Sequence, residues 1–162
     1  MKASTSTRSP RRPEPPEPDP FTDDEFRVWR GFLRVHREIS DELNRRLQAR
    51  HDLTMLHYGV LITLITVPER RMRMSDIAER VLTSPSGMTR AVVRLADEGL
   101  VTREQDPADR RSFVVGLTAR GVRRLRRAQV THHACVRELL FSGLSAADLR
   151  RLAAVYDPPA RP

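Results

Sequence analysis

The sequence predicts a mainly α-helical fold that carries one small β-hairpin. Three observations predict it. Two short helices with apolar stripes follow each other across a tight turn within residues 75–99. Period-two alternation appears once, at Phe113, Val115 and Leu117, after a strand-like run over residues 100–105. Long helical stripes flank this block over residues 21–52 and 119–157. The 162 residues suit one domain: a Pro/Arg-rich tail at 1–20, a body at 21–157 and a short tail at 158–162. Within the body, 53–118 forms one unit and the two flanking helical regions form another.

Residues 1–20 have no apolar periodicity and too little apolar surface to offset their ordering entropy, so disorder is expected there. Arg8, Arg11 and Arg12 offer a basic arm, but Glu14, Glu17 and Asp19 cancel much of its charge, and a solvated tail is the simpler reading. Order begins at Phe21. Thr22 and Glu25 have capping-box spacing, and Phe21 with Phe26 has the spacing of a hydrophobic staple. Phe26, Trp29, Phe32, Leu33, His36, Ile39, Leu43 and Leu47 then share one face of a long helix. After a turn over 50–53, Thr54 caps a second helix with Tyr58, Leu61, Ile62 and Ile65 facing inward. Pro68 ends that run, and residues 72–74 can add a short strand beside the hairpin.

The first helix of the central pair is expected to start at Ser75 as N-cap, with Ile77, Ala78, Val81 and Leu82 as its buried stripe. The second has Ser84 as N-cap and Pro85 at the first helical position, where a missing N–H costs nothing. Met88, Ala91, Val92 and Leu95 face inward; Ser86, Thr89, Arg90, Val93 and Arg94 face out. Gly99 stops the helix as a left-handed cap. Two helices joined this tightly, the second showing small polar residues and arginines, are how a helix-turn-helix meets the major groove. Ser84, Ser86, Thr89, Arg90 and Arg94 are therefore candidate DNA contacts. The hairpin tip over 106–111 carries adjacent arginines, and a hairpin directly after a recognition helix is a wing. Arg111 suits a narrow minor groove, whose negative potential attracts guanidinium. Asp109, two residues earlier, is expected to orient that guanidinium, and Arg110 to touch phosphate.

Thr118 closes the second wing strand and caps the next helix. There Val122, Leu125, Gln129, His132, Val136 and Leu139 recur at alternating spacings of three and four, a coiled-coil-like seam. A last helix starts at Ser145, with Asp148 at capping-box distance, and carries Leu149, Leu152, Ala153 and Tyr156 before Pro158 and Pro159. These terminal stripes are expected to pack together and against their copies in a second subunit. A homodimer follows from that expectation.

The formal net charge of +8 points to a polyanionic partner. Lys2 is the only lysine, so base composition of the genome contributes to the arginine excess. Cys135 is the only cysteine, which excludes an internal disulfide and suits a reducing cytoplasm. No run suits a membrane span or a signal peptide. A phosphate-cradling Gly-rich loop, a nucleophile elbow and paired carboxylates are all missing, so no enzyme activity, catalytic residue, cofactor or metal is expected.

The runs Ser84-x-x-x-x-Thr89-Arg90, Leu95-x-x-x-Gly99-Leu100-Val101-x-Arg103, Asp106-Pro107-x-Asp109-Arg110-Arg111 and Val115-x-Leu117-Thr118 together resemble the winged helix-turn-helix of MarR-family transcription regulators. The resemblance extends from Phe21 to Tyr156. It implies a dimeric regulator, a repressor rather than an activator, that holds a palindromic operator in double-stranded DNA and releases it on binding a small effector. In the resembling family, aromatic or phenolic acids occupy a crevice between the subdomains; here Trp29, His36, His57 and Tyr58 are the candidates, against the plainer reading that they pack or cap.

Other readings stand beside it. His132 and Cys135, three apart on a helix, have residue types that bind zinc, with His36 as a further ligand; packing is the simpler role. An oxidant-sensing Cys135 has no evident device to lower its pKa. Relatives resembling peroxide sensors carry their cysteine near the start of the first helix, where this chain has none. A non-specific architectural nucleic-acid-binding protein is the remaining alternative.

Overall fold

The computed structural model describes residues 19–156, apart from Ala108 and the side chain of Arg110. The tails at 1–18 and 157–162, including the candidate arm Arg8, Arg11 and Arg12, lie outside the described residues. Thr22 opens α1 (Asp23–His51) with the expected capping box, its hydroxyl accepting from the Glu25 amide at 3.3 Å while the Glu25 carboxylate accepts from the Thr22 amide at 2.8 Å. Phe21 and Phe26 are both exposed, so the box holds this end without an apolar staple. At 29 residues α1 is about 44 Å long. Only Leu43 and Leu47 of its stripe are buried within one chain.

Asp52, in the left-handed region, turns the chain into α2 (Met55–Ile65). Thr54 caps it, and the Asn44 carboxamide oxygen accepts from the Met55 amide at 3.1 Å, fixing the α1–α2 corner. A 3₁₀ turn (Pro68–Arg70) leads to β1 (Arg71–Arg73), then α3 (Met74–Arg80), α4 (Pro85–Asp97), β2 (Val101–Asp106) and β3 (Asp109–Leu117). The sheet is antiparallel in the order β1-β3-β2, with Arg71 opposite Gly116 and Thr102 opposite the same glycine. A Cβ on Gly116 would stand 2.7 Å from the Thr102 hydroxyl. Its missing side chain leaves the space over which Arg71 reaches Glu104 at 2.7 Å, tying β1 to β2 across β3.

The core lies where α2, α3, α4 and the sheet meet α5 (Ala119–Val136) and the end of α1. Leu47, Leu53, Leu61, Leu64, Ile77, Met88, Leu95, Leu100, Val115 and Leu125 are all buried in it. Gly121 has the closest approach of the glycines: a Cβ there would come within 2.1 Å of the Leu100 carbonyl oxygen. A five-residue π-type turn (Arg137–Phe141) follows α5, and α6 (Ala146–Tyr156) begins after a Ser145–Asp148 capping box.

Four expectations need correction. α3 starts at Met74 with Arg73 in the cap position, and the Ser75 hydroxyl instead donates to its neighbour Asp76. The α3 stripe stops at Ala78: Val81 is half-buried, and Leu82, with φ 52°, is 93% exposed, because α3 ends before either. The wing strands run further than expected, β2 reaching Asp106 and β3 starting already at Asp109. On α5 the buried face runs Val122, Leu125, Ala128, Thr131 and Cys135, while Gln129, His132 and Val136 are half-buried and Leu139 exposed. A single chain packs α5 on α1 along one helix face. The three–four seam drifts off that face.

Candidate nucleic-acid interface

Ser84 accepts from the Gly87 amide at 3.2 Å and lies 3.3 Å from the Ser86 hydroxyl, so the start of α4 is rigid and lined by small oxygens. A Cβ on Gly87 would approach the Thr83 hydroxyl at 3.0 Å and the Ser84 hydroxyl at 3.2 Å, which keeps that turn narrow. The Thr89 hydroxyl donates to the Pro85 carbonyl at 2.9 Å, leaving its oxygen lone pairs to accept and its methyl to make apolar contact. Arg90 is exposed and, among the described residues, has no acidic partner. Met88, Ala91, Val92 and Leu95 are buried as expected, so Ser86, Thr89 and Arg90 are held on the outer face by the core itself.

Arg94 is placed differently from its row-mates. Its guanidinium is held by Asp52 at 2.8 Å and Glu98 at 3.2 Å. It braces α4 against the α1–α2 corner, and a guanidinium shared between two carboxylates must break those pairs before it can read a base.

On the wing, Asp109 does not hold the Arg111 guanidinium. Its two oxygens accept from the Arg111 backbone amide at 3.0 Å and the Ser112 hydroxyl at 2.6 Å. Those bonds, the Ser112 one foremost, keep its carboxyl below the usual range. The carboxylate shapes the strand start and leaves the guanidinium outward. Backbone Arg110 is in β3, while its side chain lies outside the described residues. A cleft of about 370 Å³ runs between α4 and the wing, lined by Ser75, Glu79, Thr89, Arg111, Ser112 and Phe113 among others. Thr89 and Arg111, far apart in sequence, thus face one opening.

The sequence reading missed the braces. Arg73 on β1 donates to the buried Asp106 carboxylate at 2.7 Å, and Arg103 lies 3.4 Å over the Phe113 ring. Both pairs stiffen the wing, the first of them at the last residue of β2 beside the hairpin turn. Alternation of Arg71 and Arg73 on a three-residue strand was the available signal, but it does not reveal the partners.

The four effector candidates are not brought together. Trp29 and His36 lie on the exposed half of α1, each 6.0 Å from the Phe32 ring in a stacked ladder. His57 is buried, its Nδ1 accepting from the Thr54 amide at 3.3 Å, and burial chiefly lowers its pKa. Tyr58 is buried against the His132 ring at 4.7 Å, and burial pushes its hydroxyl up. The α1–α2 contact is made at Asn44, and Trp29 is fifteen residues, or about 22 Å, away along the helix. None of the five clefts found among the described residues is lined by both pairs.

Cys135 is fully buried and burial raises its thiol, so its surroundings do not favour thiolate. Among the described residues no three His, Cys, Asp or Glu side chains converge as a metal cluster.

Residues 51–112 match the sequence profile of the MarR family. The chain is also 31% identical over 156 residues to the HTH-type transcriptional repressor IacR of Pseudomonas putida, covering 92% of this chain and 89% of that one. The chain belongs to the MarR family. Two MarR family regulators of Streptomyces coelicolor have similar structures. Sco3205, solved in complex with DNA, shares 33% identity with a TM-score of 0.78 over 86% of this chain and 88% of its own. AbsC shares 33% identity with a TM-score of 0.76 over 87% and 95%. An uncharacterized HTH-type regulator of Bacillus cereus is 29% identical over 62% of this chain, which spans 65% of that relative, just under two thirds of its length. These relatives are transcription regulators rather than enzymes, and no described helix is long and apolar enough to cross a membrane.

Proposed function

We propose that the protein is a dimeric, sequence-specific repressor that binds a palindromic operator through α4 and the wing. The observation that carries this reading is the shared opening between Thr89 and Arg111, with Ser86 and Arg90 exposed on α4. Small side chains at the start of α4 let it sit deep in the major groove, where Thr89 and Arg90 reach base edges and Ser84 and Ser86 meet the backbone. Arg111 enters the flanking minor groove and Arg110 touches phosphate. Arg94 and Asp109 act one step back, bracing the helix and shaping the wing. The DNA complex of the similar Sco3205 supports the DNA partner.

A two-fold dimer sets the two α4 helices at half-sites about 34–36 Å apart. A small aromatic or phenolic effector that favours a mis-spaced pair by a few kcal/mol empties the operator. Trp29 and His36 lie too far from His57 and Tyr58 to share such a ligand within one chain, so an effector touching both pairs bridges subunits.

The test is a fluorescence-anisotropy titration against DNA flanking the protein's own gene, with a scrambled duplex as control, at two salt concentrations. A regulator prefers the native duplex by about 10³-fold or more, and the affinity falls steeply with salt. Equal binding to both duplexes at every flanking segment assigns an architectural role instead. The same assay screens aromatic acids by release of the labelled duplex.

A further inference from the structure

The last turn of α1 and the first half of α5 enclose a second cleft, of about 450 Å³, away from the α4–wing opening. Arg50, Arg124 and Arg127 line it, together with Gln48, His51 and Asp52. Among the described residues, none of these three arginines has a carboxylate at ion-pair distance. The single carboxylate in the lining, Asp52, is already held by Arg94 at 2.8 Å.

Part of this charge has a structural use. Arg124 donates to the His51 carbonyl, and cations suit the C-terminal end of a helix. That end carries only about half a negative charge, however, and three guanidiniums far exceed it. Nor does His51 relieve them. Its Nε2 lies 2.7 Å from the Thr131 hydroxyl, and its pKa is lowered, first by burial and then by Arg124, Arg127 and Arg50. The ring is pressed toward its neutral form by charges that have no local counter-ion.

We propose that this cleft is a binding site for a phosphate-type anion, taken up by Arg50 and Arg127 with Arg124 at its floor. Planar guanidiniums bind phosphoryl oxygens in pairs, and the walls hold Arg124 in place through the His51 carbonyl. Two sources carry the same chemistry: a free phosphorylated molecule, or a backbone phosphate of bound DNA beyond the α4 footprint. Only the second rests on the operator reading. Asp52 joins the cleft to Arg94, so an anion here also acts next to the brace that positions α4.

The experiment uses the full chain and the double variant Arg50→Gln/Arg127→Gln, which spares Arg124 and every core residue. One arm is thermal melting with pyrophosphate, against chloride at matched ionic strength. The other is the salt dependence of duplex binding. If the source is free, pyrophosphate raises the wild-type Tm by about 3 °C or more and leaves the variant unmoved. If the source is DNA, the variant's slope of log K against log salt falls by about 0.9 for each lost phosphate contact. No pyrophosphate shift together with an unchanged slope overturns the proposal. A variant that merely melts lower in chloride, with neither effect, shows the arginines serving only the end of α1. Failure of the wild type to bind any duplex defeats the operator reading and leaves the pyrophosphate arm intact.

Discussion

Arg111 and Asp109 divide a task that their spacing suggests is one contact. The carboxylate holds the backbone of Arg111 and the Ser112 hydroxyl, and the guanidinium is left to reach outward. Replacing Arg111 with Ala should therefore weaken operator binding about tenfold or more, with Tm nearly unchanged, since no core contact is lost. Anisotropy and a melt on the same preparation check both halves; unchanged affinity removes Arg111 from the interface. Asp109→Ala should weaken binding as well, through a loosened strand start. Arg94→Ala should cost stability, because Asp52 and Glu98 lose a shared partner. Among residue-scale features, the caps at Thr22, Thr54, Ser84 and Thr118 were legible and form as spacing implies, while the cap read at Ser75 falls at Arg73 instead. Partners distant in sequence, such as Arg94 with Asp52 or Arg73 with Asp106, were not, because no local pattern encodes which carboxylate the fold brings near.

The elements were legible wherever one apolar stripe meets one partner, as on α4. They were misread where a helix ends early, as α3 does before Val81 and Leu82, and where a stripe meets two partners. On α5 the buried face and the half-buried seam diverge after Leu125, since the same helix must pack on α1 and present a second face outward. The join between α5 and β2 depends on Gly121, where any Cβ collides with the Leu100 carbonyl. Gly121→Ala should lower stability by about 2 kcal/mol or more, seen as a clear drop in Tm, because backbone rather than a flexible side chain must move. At the α2–α5 contact, His132 stacks on Tyr58 with its Nδ1 buried and unpartnered, and its pKa is lowered, first by burial and then by His133. His57 and His51 are lowered too, chiefly by burial. The unfolded chain takes up protons near the ordinary value of about 6.5 while the folded chain resists them, so stability rises with pH through that window and is lost on acidification below it. Tm should fall between pH 7 and pH 5.5. His132→Phe keeps a ring against Tyr58 and should show a shallower fall; an identical pH profile removes His132 from the effect.

At the scale of the molecule, one chain leaves a long apolar surface uncovered. Phe26, Trp29, Phe32 and Leu33 on α1, Leu139 to Phe141 after α5, and Leu149, Leu152 and Tyr156 on α6 are all exposed. A domain with a well-formed core has no reason within itself to hold so many large side chains in water, and exposed patches of this kind mark interfaces. The sequence stripes announced the helices but left open where their second faces go. A second subunit covering α1 and α6 should bury about 800 Å² or more per chain if the dimer is stable. Trp29 is the only tryptophan and is 48% exposed in the single chain, so its emission reports that contact directly. On dilution the emission should shift to the red with the same midpoint at which sedimentation shows dimers becoming monomers. Leu149→Arg/Leu152→Arg should move that midpoint to higher concentration, since two charges would be buried without partners. Operator affinity should fall in parallel, because a lone α4 occupies one half-site and loses the gain from the tethered second. A concentration-independent spectrum with monomer mass would instead mean that the exposed face serves another partner and that each chain binds DNA alone.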